Sequence, residues 1–355
     1  MSSVGRAIRP LVAVLCVLPP VELPGARSPL DLAGAPADTT LQSLQAEIAA
    51  LAAEFDGDVG IAAIHLESGR GVATRGDEPF FLASVYKLPI AVAVLRRVDA
   101  GTVALGDTIR LEPWDFRIGR STLAPNEPDG GGRYTVARLL ESQVRDSDNS
   151  ASDALLRLAG GPRAVTGTLR ALGLDGIRID RGEGETLLEF YGIGDSFPET
   201  ERTPDRLSAR LRLSDPEARA LAVARFARHP EDSGTALALA ELLDRLWRGE
   251  LLSPAGTELL LGHLRNGWLD TRIPAGLPTG TPVWHKTGTY GEAATHDAGI
   301  IELPDGTHLI VVALTRQPRR DTEAAERTIA AVTRAAWAFW AAPTFRVEGR
   351  SDSPE

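Results

Sequence analysis

Lysine is almost absent from this sequence. Of 38 basic residues, Lys87 and Lys286 are the only lysines. Arginine cannot be deprotonated in a protein and carries a planar guanidinium, whereas lysine carries a compact ammonium that can lose its proton. Lysines retained against this bias indicate positions where a compact or titratable ammonium is required. The alternative is that both lysines are chance survivors with packing roles.

Cysteine is equally scarce, because Cys16 is the only one. It lies in the apolar run 11–18, which follows two arginines and precedes the small residues Ala35-Pro36-Ala37. This order is typical of a secretory signal peptide, so we predict that 1–37 is removed and that the protein is periplasmic or secreted. Lipid attachment at Cys16 is the alternative, against which the large Leu15 stands.

The remaining chain has no cysteine and therefore no disulfide, so we expect a core large enough to hold the fold alone. Runs of positive charge are also missing, and the net charge is −10. A nucleic-acid partner is therefore not expected. None of the six histidines has metal-ligand spacing, so we expect neither a metal site nor a cofactor. His285 is interpreted as a packed or hydrogen-bonded residue.

The periodicity of apolar residues predicts an α+β fold. A helix over 38–54 and strands over 59–66 and 71–74 come first, and then a long, mainly helical part follows. The last part predicts three strands and a closing helix, with bounds 283–289, 298–303, 308–315 and 321–340. Strands from both ends of the chain are thus expected to form one antiparallel sheet flanked by helices.

We predict a single catalytic domain over 38–345, followed by a tail over 346–355. Its α/β lobe combines 38–83 with 275–345, and its helical lobe covers 84–274. Residues 102–133 have the composition of a loop. The proline-punctuated, charged stretch 192–230 is an unusual insertion within the helical lobe. It is either a surface excursion or a segment that leans over the site and shapes the entry of bulky substrates.

Ser84 and Lys87 form the most informative pair. They open an apolar helical run and are three residues apart, so they are expected to share a face of the helix. A serine hydroxyl becomes a nucleophile when a neighbour takes its proton, and a buried lysine can do this in its neutral form.

Two more short motifs follow, Ser147-Asp148-Asn149 between predicted helices and Lys286-Thr287-Gly288 on a predicted strand. The set S-x-x-K, S-D-N and K-T-G, in this order, is the signature of class A β-lactamases and penicillin-binding proteins. The sequence resembles class A β-lactamases over roughly residues 40–342, apart from the insertion. The resemblance implies an active site between the sheet lobe and the helical lobe.

The resemblance also implies roles for particular residues. Ser84 is implied to be the acylated nucleophile, with its own N–H and that of Thr289 as the oxyanion hole. Lys87 and Ser147 are implied to relay protons. Asn149 is implied to hold the acylamide of the substrate. Lys286 and Thr287, which precede Gly288, are implied to bind the carboxylate of the substrate.

Removal of the acyl group requires a base, and the resemblance implies that Glu183 activates the water. Glu185 and Glu189 are nearby alternative candidates for this base. The other interpretation is that all three glutamates belong to a solvated acidic loop with no catalytic role. Two family residues are replaced: Gly184 stands where a proline is usual, and Leu187 stands where an asparagine usually helps to hold the water.

The carboxylate-binding arginine of some members is also missing from its usual place, near His296. Arg272, Arg316 and Arg327 are the candidates to replace it. We therefore expect a monomeric serine hydrolase that opens β-lactam antibiotics. The alternatives are a D,D-peptidase acting on peptidoglycan stem peptides and a non-catalytic homologue that binds cell-wall peptides.

Overall fold

The computed structural model describes residues 39–193, 197–226, 231–265, 267–291, 293–316 and 321–342. The predicted signal peptide, 1–37, and the predicted tail, 346–355, lie outside these ranges. Within the described residues, no helix is long and apolar enough to cross a membrane. The elements, in chain order, are α1 (Thr39–Ala53), β1 (Asp58–His65), β2 (Gly71–Thr74), β3 (Phe80–Phe81), α2 (Lys87–Asp99), β4 (Thr108–Leu111), β5 (Gly132–Thr135), α3 (Val136–Val144), α4 (Asn149–Leu158), α5 (Pro162–Ala171), α6 (Glu183–Phe190), α7 (Pro204–Arg212), α8 (Pro216–Phe226), β6 (Ser233–Gly234), α9 (Ala236–Trp247), α10 (Pro254–Arg265), β7 (Val283–Tyr290), β8 (Ala294–Glu302), β9 (His308–Arg316) and α11 (Thr322–Trp340).

One antiparallel sheet of five strands organises the molecule, in the order β2-β1-β9-β8-β7. It combines two strands from the start of the chain with three from its end, which confirms the predicted α+β layout. Side chains alternate across each strand. On β1, Ile61 and Ala63 pack towards α1 and α11, whereas Ala62 and Ile64 pack into the helical lobe. The sheet thus lies between two apolar layers, and helix α2 is buried within the second.

Two local predictions were wrong. Residues 102–133 are not only loop, because β4 and β5 pair as antiparallel strands. Ser84 does not lie on an α-helix: it belongs to a tight 3₁₀ turn over Ala83–Tyr86, and α2 begins at Lys87. In a 3₁₀ turn the side chains at positions i and i+3 eclipse each other, whereas in an α-helix they are offset around the axis.

Candidate active site

The Ser84 turn is held against the edge strand β7. Ala83, which precedes the serine, has a φ of +45°, a left-handed conformation that is strained for a residue with a Cβ. A Cβ added at Gly288 would lie 3.0 Å from the carbonyl oxygen of Leu82 and 3.2 Å from the amide nitrogen of Val85. Glycine at position 288 therefore permits the close approach of strand β7 to the turn that carries Ser84.

The S-D-N motif forms the opposite wall, at the start of helix α4. Asp148 caps this helix by accepting from the N–H of Ala151 at 2.8 Å, and its other oxygen accepts from the N–H of Leu123 at 2.8 Å. The buried carboxylate thus fixes both the helix and the preceding loop. Ser147 has a φ of +60°, a left-handed backbone conformation in the turn between α3 and α4.

Lys87 contacts the S-D-N wall rather than Ser84. Its Nζ donates to the carbonyl of Ser147 at 2.7 Å, to Asn149 Oδ1 at 2.7 Å and to Ser147 Oγ at 3.4 Å. Ser84 and Lys87 are both described, and no hydrogen bond joins their side chains. Lys87 is fully buried, and burial lowers its pKa to about 8, against the opposing effect of the Glu183 carboxylate. A neutral amine is thus within reach near neutral pH.

Lys286 approaches the same hydroxyl from strand β7. Its Nζ donates to Ser147 Oγ at 2.9 Å and to the carbonyl of Thr287 at 2.9 Å. Burial, followed by repulsion from Lys87, holds the pKa of Lys286 well below its ordinary value. Ser147 Oγ thus lies between the two lysines of the chain. The structure brings together the two walls that the motifs predicted.

Of the three candidate arginines, Arg272 lies at the site. Its guanidinium donates to the carbonyls of Gly288 at 2.9 Å and His296 at 2.6 Å, and to Thr289 Oγ1 at 2.5 Å. Arg316 and Arg327 pair elsewhere with carboxylates, the latter at the surface. The positive charges of Arg272, Arg120 and Lys87 all act on Lys286. This concentration of positive charge in a protein of net charge −10 favours an anionic group.

His296 cannot supply the missing positive charge. Its Nδ1 accepts from the N–H of Thr315 at 3.0 Å, so Nε2 carries the proton and donates to the carbonyl of Phe81 at 2.7 Å. Burial lowers the pKa of His296 to about 4. His285 is also structural, since its Nδ1 lies 3.0 Å from the carboxylate of Asp297.

Glu183 alone among the three candidate glutamates is buried, with 6% of its surface exposed. Burial raises the pKa of its carboxyl to about 7, against the opposing effect of the Lys87 ammonium. Glu185 is exposed and accepts from the N–H of Gly182, and Glu189 pairs with Arg181. A carboxyl with a pKa near neutrality, beside a buried lysine, is suited to general-base chemistry.

Asp153 and Arg117 fix the first turn of α6, and neither was among the predicted site residues. The carboxylate of Asp153 accepts from the N–H of Glu183 at 2.6 Å, from that of Gly184 at 3.0 Å and from Arg117 Nε at 2.7 Å. A Cβ at Gly184 would lie 2.8 Å from Arg117 Nε, which explains why a glycine stands there. The sequence held one signal: Asp153 follows Asn149 by four residues, on the same face of α4.

Leu187 packs in an apolar cluster, and its side chain cannot form a hydrogen bond to water. It is buried in an apolar cluster with Leu188, Ile193 and Leu207, the last of which belongs to α7 of the insertion. The position at which an asparagine was expected is therefore apolar and contacts the insertion.

Arg120 and Trp268 contact each other near Lys286 and Thr287. The guanidinium of Arg120 lies 3.5 Å from the ring centroid of Trp268, and its Nε donates to the carbonyl of Asp146 at 2.6 Å. Trp268 lines a narrow opening together with Lys286 and Thr287. Within the described residues, no group of three or more His, Cys, Asp or Glu side chains is placed to hold a metal ion.

Known proteins are similar to this chain in both sequence and fold. The model of a beta-lactamase enzyme family matches residues 43–340. A β-lactamase of Streptomyces cellulosae is 31% identical over 278 residues, which cover 77% of this chain and 76% of the relative. The carbapenem-hydrolyzing β-lactamase KPC of Klebsiella oxytoca is 31% identical over 306 residues, which cover 84% and 89%.

Solved structures agree with these relatives. An ancestral class A β-lactamase is 31% identical, with a TM-score of 0.66 over 82% of this chain and 98% of that chain. A β-lactamase from Xanthomonas campestris pv. campestris is 25% identical, with a TM-score of 0.69 over 84% and 98%. The chain belongs to the beta-lactamase enzyme family, in its class A.

Proposed function

We propose that this protein is a serine β-lactamase that hydrolyses the β-lactam amide through an acyl-enzyme at Ser84 and uses Glu183 as the base for deacylation. The observation that carries the proposal is the burial of Glu183 beside Lys87, with a carboxyl pKa of about 7. A penicillin-binding peptidase does not have to hydrolyse a β-lactam adduct, whereas a β-lactamase needs a base that activates water for this step.

In the first step, Ser84 Oγ attacks the carbonyl carbon of the lactam while its proton passes to the neutral amine of Lys87. The N–H groups of Ser84 and Thr289 stabilise the oxyanion. The C–N bond then breaks, and Ser147 Oγ gives a proton to the leaving nitrogen. Its contact with Lys87 supports this role, because the hydroxyl can recover a proton from the Lys87 ammonium, which took the proton of Ser84.

In the second step, Glu183 takes a proton from water, and the resulting hydroxide attacks the ester carbonyl. The bond from the carbonyl carbon to Ser84 Oγ breaks, and Ser84 Oγ takes the proton that Glu183 removed from the water. The product is the ring-opened acid, and all groups return to their starting protonation states. The high pKa of Glu183 makes the carboxylate a stronger base than a hydrated glutamate.

The positive charges around Lys286 orient the substrate through its carboxylate. Lys286 and Thr287 bind this group, and Arg272 supports it from behind through Thr289 and the carbonyl of Gly288. The amide of Asn149 holds the acylamide side chain, with its carbonyl oxygen already bound to Lys87.

The test is a pre-steady-state experiment with a chromogenic cephalosporin and the purified protein. We expect steady turnover by the wild type. In Glu183→Gln we expect one rapid burst and an acyl-enzyme that intact-protein mass spectrometry detects, because acylation is kept and deacylation is lost. Glu185→Gln, which removes an exposed carboxylate from the same helix, is the matched control and should turn over normally.

The other outcomes separate the alternatives. A burst without turnover in the wild type indicates a D,D-peptidase or another penicillin-binding protein. No covalent adduct at all indicates a homologue that only binds. Normal turnover by Glu183→Gln shows that the base is another residue.

We also propose that the protein is exported, from the basic and apolar residues at its start. The mass of the protein recovered from an expressing bacterium tests this. A chain that keeps residues 1–37 contradicts the proposal.

A further inference from the structure

The loop that contains α6 and the insertion 192–230 is closed by contacts between Arg181 and Asp232. Arg181 Nε lies 2.7 Å from a carboxylate oxygen of Asp232, and the other oxygen of Asp232 accepts from the N–H groups of Asp180 at 2.8 Å and Arg181 at 2.9 Å. Helix α6, which carries Glu183, begins two residues after Arg181. The base and the insertion therefore belong to the same closed loop.

Helix α7 of the insertion is docked by a single buried residue. Leu207 is the only buried residue of this helix. Its side chain belongs to the apolar cluster of Leu187 and Leu188, both on α6, and Ile193. The face of α6 that carries Leu187 is thus covered by the insertion.

Helix α8 is docked in the same manner, through Phe226 at its end. Phe226 is the only buried residue of α8. Its ring centroid lies 5.3 Å from that of Phe190, the last residue of α6. It also lies 5.4 Å from the ring of Tyr290 at the end of β7, and 4.7 Å from the ring of Phe81, three residues before Ser84.

The same rings contact one another, so the cluster joins three elements of the site. Phe190 and Tyr290 meet edge to face with 4.9 Å between centroids. A Cβ at Gly192, just after α6, would lie 3.2 Å from the Cβ of Ala222, so α8 approaches the chain closely there as well. The contacts of the insertion converge on the far end of the helix that begins with Glu183.

We propose that the insertion 192–230 is a brace for helix α6, and that Leu207 and Phe226 are positioning residues for deacylation by Glu183. Asp153 holds the first turn of α6 and the insertion holds the rest. The apolar Leu187 is then the docking point of the brace. This inference rests on the proposed function, since it assumes that Glu183 is the deacylating base.

The experiment compares variants on each helix of the insertion. Phe226→Leu and Leu207→Ala remove docking contacts, whereas Leu221→Ala and Leu213→Ala truncate side chains that are 63% and 83% exposed. Single-turnover measurements separate acylation from deacylation. In the docking variants we expect deacylation to slow about 10- to 100-fold, because the base is displaced, while acylation changes by less than about two-fold. The exposed-residue variants should match the wild type.

The pH dependence of deacylation gives a readout that a general loss of stability does not move. A loosened α6 admits water to Glu183, so the acid limb of deacylation should shift below the wild-type midpoint near pH 7. Deacylation at the wild-type rate in both docking variants overturns the brace. So does an equal slowing of both steps, which indicates a general structural role.

The two proposals fail in distinguishable ways. If Glu183→Gln turns over normally, the proposed base is wrong. If Glu183→Gln accumulates acyl-enzyme but the docking variants do not slow deacylation, only the brace is wrong. An entry role for the insertion predicts instead a KM that rises for substrates with large side chains alone. The brace predicts the same loss for small and large substrates.

Discussion

The position of Glu183 depends on two buried charged residues, Asp153 and Arg117. Asp153 binds the backbone at Glu183, and Arg117 pairs with Asp153. Arg117 pairs with Asp153 in a site where both side chains are less than one-tenth exposed. Asp153 in turn accepts from two N–H groups of the first turn of α6. A buried carboxylate at a helix N-terminus is stabilised by the helix dipole, and the arginine neutralises it.

We predict that Asp153→Ala destabilises the protein by about 3–5 kcal/mol, because it leaves the buried Arg117 guanidinium without a partner. Thermal unfolding followed by circular dichroism measures this. Asp129→Ala is the control, since Asp129 pairs with Arg110 at the surface and its loss should not change Tm measurably. Equal Tm values for Asp153→Ala and the wild type contradict the assignment.

At the scale of elements, strand β7 and the turn of Ser84 depend on each other. The strand can approach the turn only because position 288 has no side chain. The K-T-G motif therefore carries a packing requirement at its glycine in addition to the proposed chemistry at Lys286 and Thr287.

We predict that Gly288→Ala slows acylation about 10- to 100-fold, because the added Cβ displaces the turn that carries Ser84. The burst rate with a chromogenic cephalosporin measures this step. Gly106→Ala is the control, because a Cβ at Gly106 has no atom within 4 Å. An unchanged burst rate in Gly288→Ala shows that the turn and the strand can separate without loss.

The elements differed in how well their sequence predicted them. Strands β1 and β9 have the continuous apolar runs that a buried sheet requires, so both were predicted close to their observed bounds. Strands β4 and β5 were missed because each is short and half polar, and only their pairing with each other makes them strands. The 3₁₀ turn of Ser84 could not be predicted either, since contact with Gly288 imposes it.

The site, like the fold, could be predicted where a short stretch of sequence carries the signal, but not where tertiary contacts decide the position of a residue. The three motifs predicted which side chains meet, because the resemblance to class A β-lactamases implies their arrangement around one site. Arg272 could be named only as one of three arginines, since its proximity to Thr289 depends on how the chain folds between α10 and β7. The role of Leu187 as a contact of α7 depends on the insertion, whose path no local pattern predicts.

Over the whole molecule, Glu183 and His296 act in opposite directions on stability. The folded-state pKa of Glu183 is raised from 4.5 to about 7, so folding is disfavoured increasingly as pH rises through that interval. The folded-state pKa of His296 is lowered from 6.5 to about 4, so stability is lost as pH falls through that interval. The two effects offset each other in weakly acidic solution.

We predict that Glu183→Gln is more stable than the wild type at pH 8, by up to about 3 kcal/mol, because one pKa unit corresponds to about 1.4 kcal/mol. The difference should fall close to zero at pH 4.5, where the wild-type carboxyl is protonated in the folded state and half protonated in the unfolded state. Denaturant titrations at several pH values measure the free energy of unfolding. Glu185→Gln, on the exposed side of α6, should show no such pH-dependent difference. Equal stability of Glu183→Gln and wild type at pH 8 contradicts the prediction.

The contact between Arg181 and Asp232 also determines where this chain can change in length. Because the two ends of the loop are joined there, extra residues placed away from Leu207 and Phe226 change mainly the entropy of closing the loop, and each doubling of its length costs about 0.6 kcal/mol. The turn between α7 and α8 contains the exposed Leu213 and neither of the docking residues, Leu207 and Phe226. Foreign peptides grafted into this turn should therefore leave the rest of the fold undisturbed, which makes it a natural attachment point for a reporter or an affinity tag.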